Sequence, residues 1–196
     1  MDKRKNTIQL MVFMAMYAAL AVVLDIIKEF IPFTSLWANG GSIDISLIPL
    51  VFASIHLGYI YGIITGLLEF GVSIAFGTTK LYFAPYNVAL GFLCDYIIPV
   101  AIMGAASIFM NKNYSRKKNM IMLELGILLC MLIRIISQVV SGVYCWVDAS
   151  DIGSIAAWIF SLRYNLGYGV PTMIMLLIVM PILYRTFERV IKRQIV

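Results

Sequence analysis

Long uncharged stretches alternate with short polar connections along the chain, and this pattern predicts an all-α protein with six membrane-spanning helices. A helix needs about 20 mostly apolar residues to cross the hydrocarbon core of a bilayer. Segments rich in glycine, proline or charge separate the uncharged runs and favour turns. The predicted spans are residues 6–27, a short helix beginning near residue 45, and residues 59–76, 85–110, 120–143 and 164–184.

The second and third spans are predicted from one continuous run. No charged residue occurs from position 45 to position 68, a stretch of 24 residues that is too long for one span and too short for two full ones. Three glycines spaced four residues apart begin at Gly58 and indicate a break in the helix. We therefore expect a short helix, a tight turn that contains His56, and a third helix over residues 59–76.

The composition places the chain among integral membrane proteins. Hydrophobic residues make up 62% of its 196 residues and charged residues only 13%, which is typical of a membrane protein. The length fits a single domain over residues 1–196. Cys94, Cys130 and Cys145 lie in apolar surroundings without the spacing of a metal site or a disulfide framework, so the sequence indicates no metal and no cofactor. The first apolar run is too long for a cleavable signal peptide.

The basic residues predict the orientation of the bundle. With six spans, both termini and the linker 111–119 lie on the same side of the membrane. That side carries 11 of the 15 Lys and Arg residues: Lys3, Arg4, Lys5, Lys112, Arg116, Lys117, Lys118, Arg185, Arg189, Lys192 and Arg193. The positive-inside rule therefore predicts that both termini are cytoplasmic. Orientation in the membrane explains these clusters more simply than nucleic-acid binding does.

Asp95 and Tyr96 form the most informative polar pair, because they lie well inside the apolar run 84–110. A carboxylate at membrane depth is costly and usually faces a cavity, a bundle interior or a partner, so it indicates a functional site. The alternative is a carboxylate that a buried basic group neutralises for packing alone. Asn87, Gly91 and Asp95 recur every fourth residue, which places all three on one face of a regular helix.

The fifth predicted helix carries a second polar face. Gln138, Ser141 and Cys145 share one stripe, and Trp146 neighbours it. With six spans, this stripe and Asp95 converge on the outer half of the bundle, as a capture site open to the exterior requires. The alternative for Trp146 is a place in the aromatic belt at the membrane interface.

Two further charges and one small-residue face complete the candidates. Glu69 and Arg134 also lie at membrane depth, and we expect them to pair with each other in a structural role. Ala15, Ala18 and Ala19 form a face of small residues that lets another helix approach closely. That face fits either an internal helix contact or the docking of a partner protein.

Motifs of several enzyme and ATPase classes are missing from the sequence. There is no G-x-x-x-x-G-K-[ST] phosphate loop, no H-E-x-x-H and no G-x-S-x-G. A binding protein without catalytic activity fits these absences best. Two other classes stay open. One is a stand-alone secondary carrier, although no inverted repeat of broken helices is visible. The other is a membrane-embedded enzyme that uses Asp95 as a base.

A series of short motifs runs in order along nearly the whole chain. Its members are residues 15–19, 40–42, Ile48-Pro49, Pro85, 93–96, Arg134, Ser141-Gly142, Trp146, 161–165, Tyr168 and Val170-Pro171. This series resembles the thiamine-specific substrate-binding subunit of energy-coupling factor (ECF) vitamin transporters. The resemblance implies a six-helix bundle in the bacterial plasma membrane, with a vitamin pocket near the outer face under the loop after the first helix. It also implies a complex with a transmembrane coupling subunit and two cytoplasmic ATPases.

The resemblance also assigns roles to individual residues. It implies that the vitamin pocket is lined by Asp95, Tyr96, Trp146 and Asn165, with Asn87 nearby, and that Ala15 and Ala19 meet the coupling subunit. These residue types suit thiamine, because its thiazolium is a fixed cation that a carboxylate attracts. An aromatic face contributes a further ~0.5–2 kcal/mol. The aminopyrimidine of thiamine can stack on Trp146 and exchange hydrogen bonds with Asn165 or Asp95.

Some pocket positions depart from the family pattern. Gln138 stands where thiamine-binding members carry a histidine, and Phe160 stands where a tyrosine is expected. Gly40 replaces a tryptophan found in some members, and Trp37 is close enough in sequence to substitute for it. The exact ligand therefore stays open between thiamine, a thiamine relative or precursor, and another small heteroaromatic vitamin.

Overall fold

The computed structural model describes residues 3–31, 41–78 and 81–194, and in these residues the chain forms only helices, turns and extended connections. The helices are α1 (Lys3–Glu29), α2 (Leu47–Leu57), α3 (Tyr59–Phe76), α4 (Val88–Met103), α5 (Arg116–Cys145) and α6 (Ile155–Gln194). The predicted all-α class is confirmed.

Four of the described helices, α1, α3, α5 and α6, contain stretches long and apolar enough to cross a membrane. Helices α2 and α4 are apolar but shorter. A helix satisfies its backbone N–H and C=O groups internally, which is why such sequences stay helical in lipid. Large apolar side chains on the outward face of α1, such as Met11 and Met16, remain exposed, as a lipid-facing surface requires.

Helix α2 lies in the interior of the bundle. Eight of its 11 residues are buried, and Leu50 and Val51 are completely inaccessible to solvent. They belong to one apolar core with Ile127 and Met131 of α5 and Leu176 of α6. Because α2 is covered on most sides, its sequence is apolar all round rather than amphipathic.

The predicted break between the second and third helices is confirmed. Gly58 has φ 92° and Gly77 has φ 70°, a left-handed region that glycine enters without steric cost. These two residues bound α3 at the predicted residues 59–76. The prediction that His56 lies in the turn is wrong. His56 occupies the last turn of α2, where the hydroxyl of Tyr17 lies 2.7 Å from its Nδ1, because Gly58 alone makes the turn.

Helix α4 is shorter than the predicted 85–110. After Met103 the backbone tightens, and the N–H groups of Gly104 and Ala105 bond carbonyls three residues earlier, which is 3₁₀-type geometry. At this point Gly104 packs against Gly62 of α3 so closely that neither position has room for a side chain. The regular helix therefore ends where two backbones meet.

Helices α5 and α6 are longer than the predicted 120–143 and 164–184. Helix α5 begins at Arg116 because the hydroxyl of Ser115 caps it, accepting a hydrogen bond from the N–H of Lys118 (3.3 Å). Helix α6 begins at Ile155 and passes through Pro171 and Pro181 without ending. Neighbouring helices and local adjustments allow prolines inside membrane helices.

A buried ion-pair network joins α1, α5 and the segment before α2. Arg134 donates to Asp44 at 2.8 Å, and Lys28 lies 2.5 Å from Asp25 and 3.7 Å from Asp44. The predicted pairing of Arg134 with Glu69 is therefore wrong. The sequence could not indicate Asp44 as the partner, because Asp44 lies in a polar connection 90 residues away from Arg134.

The network keeps Asp44 ionised. Burial by itself raises the pKa of this carboxyl, but the positive charges of Lys28 and Arg134 and a hydrogen bond from Ser46 hold the pKa well below its usual range. The ion pair with Arg134 thus persists at neutral and mildly acidic pH.

Candidate functional site

Asp95 is the centre of the site. Its Oδ2 accepts hydrogen bonds from the Ser141 hydroxyl (2.6 Å) and from the Trp146 indole N–H (2.7 Å). Among the described residues, no Lys or Arg side chain lies within ion-pair distance of Asp95, and no donor contacts its Oδ1. In the described part of the chain, a negative charge at membrane depth thus has two neutral donors and no cationic partner. This arrangement makes Asp95 a candidate contact for a cationic ligand.

The predicted stripe of Asn87, Gly91 and Asp95 is interrupted. Residues Leu93–Ile97 form a wider π-type turn, so Asp95 departs from the four-residue spacing of a regular helix. Asn87 lies at the N-terminal end of α4 with φ 54°, and its side chain is exposed. Its carbonyl accepts a weak hydrogen bond from the Cys145 thiol (3.8 Å). Asn87 therefore joins α4 to the end of α5.

Tyr96 combines an anchored hydroxyl with an aromatic surface. The hydroxyl accepts from the N–H of Tyr82 (2.7 Å) and donates to the Tyr82 carbonyl (3.3 Å). The ring stacks on Phe70 of α3 at 6.0 Å between centroids and an interplanar angle of 28°, and it lies 5.9 Å from the ring of Phe92. Three rings thus form an aromatic cluster beside Asp95.

Asn165 of α6 is buried and fully engaged. Its Nδ2 donates to the carbonyl (2.9 Å) and the hydroxyl (3.2 Å) of Ser161, and its Oδ1 accepts from the Tyr168 hydroxyl. Ser161 in turn donates to the Val139 carbonyl of α5 (2.9 Å). Asn165 is therefore held in one orientation, and its network ties α6 to α5 next to the site.

Gln138 carries an unsatisfied acceptor. Its Oε1 is buried and has no hydrogen-bond partner among the described residues. Leaving such a group unpaired costs about 1–3 kcal/mol. Gln138 lies three residues before Ser141 on α5, so both share the helix face that meets Asp95. The arrangement favours a donor supplied by a ligand.

Phe160 and Tyr164 mark the beginning of α6. Phe160 is 64% exposed, and its ring lies nearly parallel to that of Tyr164, 6.3 Å away. The Tyr164 hydroxyl accepts a hydrogen bond from the N–H of Gly41 (2.9 Å), which fixes the chain where it enters the segment before α2. The predicted site residues Trp37 and Gly40 lie outside the described residues.

The predicted small-residue face on α1 divides into two parts. Ala18 is buried and takes the internal helix contact, whereas Ala15 and Ala19 are exposed on the outward side of α1. The expectation that these two alanines meet a partner protein stays a prediction.

An apolar groove between α5 and α6 lies apart from these polar groups. It has a volume of about 320 Å³, and its lining residues are Ile135, Ile136, Val139, Val140, Trp158, Ile159 and Leu162. None of them offers a charge or a hydrogen-bond acceptor in its side chain, so the groove has no negative charge to balance that of a cation.

The structure brings Asp95 and Trp146 into direct contact, as their convergence in the sequence predicts. The sequence pattern puts Ser141 on the polar stripe of α5, but it does not predict the direct bond from Ser141 to Asp95. That bond depends on the register between α4 and α5, which no local pattern reports. Tyr96 follows Asp95 in α4, and Gln138 lies one turn before Ser141 on α5. Asn165 of α6 is linked to α5 through Ser161.

Close packing of α5 and α6 at Gly142 supports the site. A Cβ added at Gly142 would lie 2.9 Å from the Ser161 Cβ and 3.8 Å from the Asn165 side chain. The missing side chain thus lets the Asn165 network reach α5.

Gly142→Ala is expected to lower the free energy of unfolding by about 1–3 kcal/mol, because overpacking separates α5 from α6. Denaturant unfolding in detergent, followed by circular dichroism, measures this loss. Gly71→Ala in α3 is the matched control, since an added Cβ there meets nothing within 4 Å. Equal free energies of unfolding for the two variants would show that α5 and α6 do not need the close approach at Gly142.

The chain is similar to proteins described as thiamine transporters. The family model described as thiamine transporter protein (Thia_YuaJ) matches residues 11–192. The chain is also similar to the thiamine transporter ThiT of Bacillus subtilis (strain 168). The two are 32% identical over 198 residues, which cover 98% of this chain and 98% of that protein.

Proposed function

The chain belongs to the thiamine transporter family, and from this premise we propose that it is the thiamine-binding subunit of an energy-coupled importer. It is a multi-pass protein of the bacterial cell membrane. Within that assignment, the proposal concerns the binding site, the partners and the arrangement in the membrane.

The observation that carries the proposal is the carboxylate of Asp95, which has two neutral donors and no described cationic partner. The thiazolium ring of thiamine bears a permanent positive charge, which proton transfer cannot remove. A buried thiazolium therefore needs a negative charge beside it, and Asp95 supplies that charge. The rings of Tyr96 and Trp146 add aromatic surface beside it, each worth ~0.5–2 kcal/mol toward a desolvated cation.

The aminopyrimidine half of thiamine fits the remaining polar groups. Its exocyclic amino group is a donor, and the Oε1 of Gln138, which has no partner among the described residues, is an acceptor. Asn165 and Phe160 then border the ligand from α6, and Asn87 borders it from the beginning of α4. Trp37 and Gly40 stay predicted ligand contacts. A pocket built in this way rejects analogues that leave its buried polar groups unpaired.

Gln138→Leu tests this assignment through two opposite effects. Removing an unsatisfied acceptor is expected to raise the stability of the ligand-free protein by up to about 1–3 kcal/mol. The same change is expected to weaken thiamine binding about tenfold, because the ligand amino group loses its partner. Unfolding in detergent and titration calorimetry measure the two effects. Gln9→Leu on the exposed face of α1 is the control. A Gln138→Leu variant with lower ligand-free stability and unchanged thiamine affinity would contradict the proposed role of Gln138.

We further propose six spans in one domain over residues 1–196, with both termini in the cytoplasm. The four long helices supply four of these spans, and the shorter helices α2, which is mostly buried, and α4, which is partly exposed, supply the other two. The basic residues near the termini and in the linker 111–119 support this orientation.

Energy for uptake is proposed to come from partner proteins. The sequence has no phosphate loop for ATP, so a transmembrane coupling subunit and two cytoplasmic ATPases supply the energy in this proposal. The exposed residues Ala15 and Ala19 on α1 provide a small-residue surface that a helix of the coupling subunit can approach closely. No nucleic acid, cofactor or enzymatic step is part of the proposal.

Titration calorimetry of the detergent-purified protein tests the ligand. Thiamine is expected to bind one molecule per chain, with riboflavin and pyridoxine producing no saturable heat. Uptake into liposomes then separates a coupled subunit from a stand-alone carrier. The protein alone is expected to bind thiamine without accumulating it, and accumulation is expected only with the coupling subunit, the ATPases and ATP. Uptake by the protein alone would favour the carrier.

A further inference from the structure

The wider turn in α4 has a backbone pattern of its own. The N–H of Leu93 bonds the carbonyls of Ala89 and Leu90, as in a regular helix, but the N–H of Ile98 bonds the carbonyl of Leu93, five residues earlier. One extra residue is thus accommodated in this turn, and Asp95 lies within it. Such π-type turns are rare and often occur at functional sites.

Pro99 leaves one carbonyl in this turn without a backbone donor. In the five-residue pattern, the carbonyl of Cys94 would accept from the N–H of residue 99, but proline has no N–H. The donor of a regular helix, the N–H of Ile98, is already bonded to Leu93. Cys94 and Pro99 are both buried, so water cannot readily satisfy that carbonyl. An unmet acceptor there would disfavour the wider turn.

Ser137 of α5 supplies the missing donor. Its hydroxyl lies 3.0 Å from the Cys94 carbonyl and 2.8 Å from the carbonyl of Arg134 in its own helix. The Arg134 carbonyl can also accept from the backbone of α5, whereas the two usual backbone donors to the Cys94 carbonyl are lost, since the N–H of Ile98 bonds Leu93 and Pro99 has no N–H. Arg134, one turn earlier on α5, donates to the carbonyl of Pro99 (3.4 Å). Two neighbouring side chains of α5 therefore hold the backbone, one within the turn at residue 94 and the other just after it at residue 99.

We propose that Ser137 is a positioning residue for Asp95. Ser137 fixes the backbone at residue 94, and Ser141, four residues further on the same helix face, bonds the carboxylate at residue 95. Without the Ser137 hydroxyl, the turn relaxes toward regular helix and rotates Asp95 away from Ser141 and Trp146. Ser137 thus determines where the carboxylate lies without touching the ligand. This inference rests on the proposed function only where thiamine affinity is the readout.

The ligand-free protein provides a readout that does not depend on thiamine. The Trp146 indole bonds Asp95 directly, so its fluorescence reports the position of the carboxylate. A background with Trp37→Phe and Trp158→Phe leaves Trp146 as the only tryptophan of the three in the chain. In this background, Ser137→Ala is expected to shift the emission maximum of Trp146 without ligand and to raise the Kd for thiamine about tenfold.

Ser73→Ala is the matched control. Ser73 is also a buried serine whose hydroxyl bonds a carbonyl three residues earlier (Phe70, 2.9 Å), but it lies on α3. It is expected to leave the Trp146 emission unchanged. If Ser137→Ala lowers stability and leaves both emission and Kd unchanged, Ser137 is merely structural and the proposal is overturned. If emission shifts but the unmodified protein does not bind thiamine, the positioning role stands and the proposed ligand fails.

A double variant covers the case in which Ser137→Ala does not fold. Adding Pro99→Ala supplies a backbone N–H at residue 99, which can bond the Cys94 carbonyl in place of the hydroxyl. Trp146 emission in this double variant is expected to return toward that of the single-tryptophan parent. A double variant that folds but keeps a displaced emission maximum would overturn the proposal, because the carbonyl would then not be the group that Ser137 serves.

Discussion

Replacing Asp95 with asparagine is expected to weaken thiamine binding by roughly 2–5 kcal/mol, or about 30-fold to several thousand-fold in Kd. Asparagine keeps the shape of the side chain and can still accept from Ser141 and Trp146. It removes only the negative charge that faces the thiazolium. Titration calorimetry of the variant in detergent measures the loss directly.

Asp148→Asn is the matched control for this effect. Asp148 lies in the exposed turn just after Trp146, so its replacement changes the net charge by the same amount without altering the site. The control is expected to bind thiamine with nearly unchanged affinity. Affinity retained by Asp95→Asn would show that the carboxylate has only a structural role.

Asp44→Asn is expected to lower the free energy of unfolding by about 3–5 kcal/mol, the usual cost of breaking a buried pair and leaving the other charge uncompensated. Arg134 would lose its carboxylate partner, and Lys28 would lose its contact with Asp44 while keeping the one with Asp25. The same change also loosens the Arg134 side chain, which donates to the carbonyl of Pro99. Denaturant unfolding in detergent, followed by circular dichroism, provides the measurement.

Glu188→Gln serves as the comparison for an ion pair with one exposed partner. The Glu188 side chain is 13% exposed, as is that of Asp44, but its partner Arg116, 2.9 Å away, is 49% exposed, whereas Arg134 is 11% exposed. Solvent screening limits such a pair to about 0–1 kcal/mol. Similar losses in the two variants would contradict the view that the network around Asp44 holds the bundle together.

The sequence predicts those parts of the fold that depend on local physics. Helix α3 begins and ends where predicted, because Gly58 and Gly77 adopt conformations that other residues avoid. The all-α class follows from the length of the uncharged runs, since a helix satisfies the backbone polar groups of such a run within the run itself.

Features that depend on long-range register could not be predicted. Asp44 and Arg134 are 90 residues apart, and nothing in the polar segment around Asp44 distinguishes it from an exposed connection. Glu69 looked like the better partner because it lies at membrane depth in a helix. The choice between them depends on which segment the fold brings beside Arg134, and sequence periodicity does not report that.

In the candidate site, too, local features could be predicted and features that depend on long-range register could not. Asp95 and Trp146 stand out in the sequence because a charge and an indole are unusual where they occur, and they are in contact. The wider turn at Leu93–Ile97 was not predicted, although Pro99 provides its signal in retrospect. Pro99 removes one backbone N–H donor, but only the position of Ser137 on another helix provides a replacement donor for the wider turn.

The central claim is that thiamine binds beside Asp95 and Trp146, and a fluorescence titration of the single-tryptophan protein tests it most directly. Trp146 is the only fluorescent indole in the Trp37→Phe, Trp158→Phe background. Thiamine is expected to quench its emission saturably, and the quenching is expected to require much higher thiamine concentrations when Asp95→Asn is added. Thiamine binding detected by calorimetry without any change in Trp146 emission would place the ligand elsewhere and contradict the account.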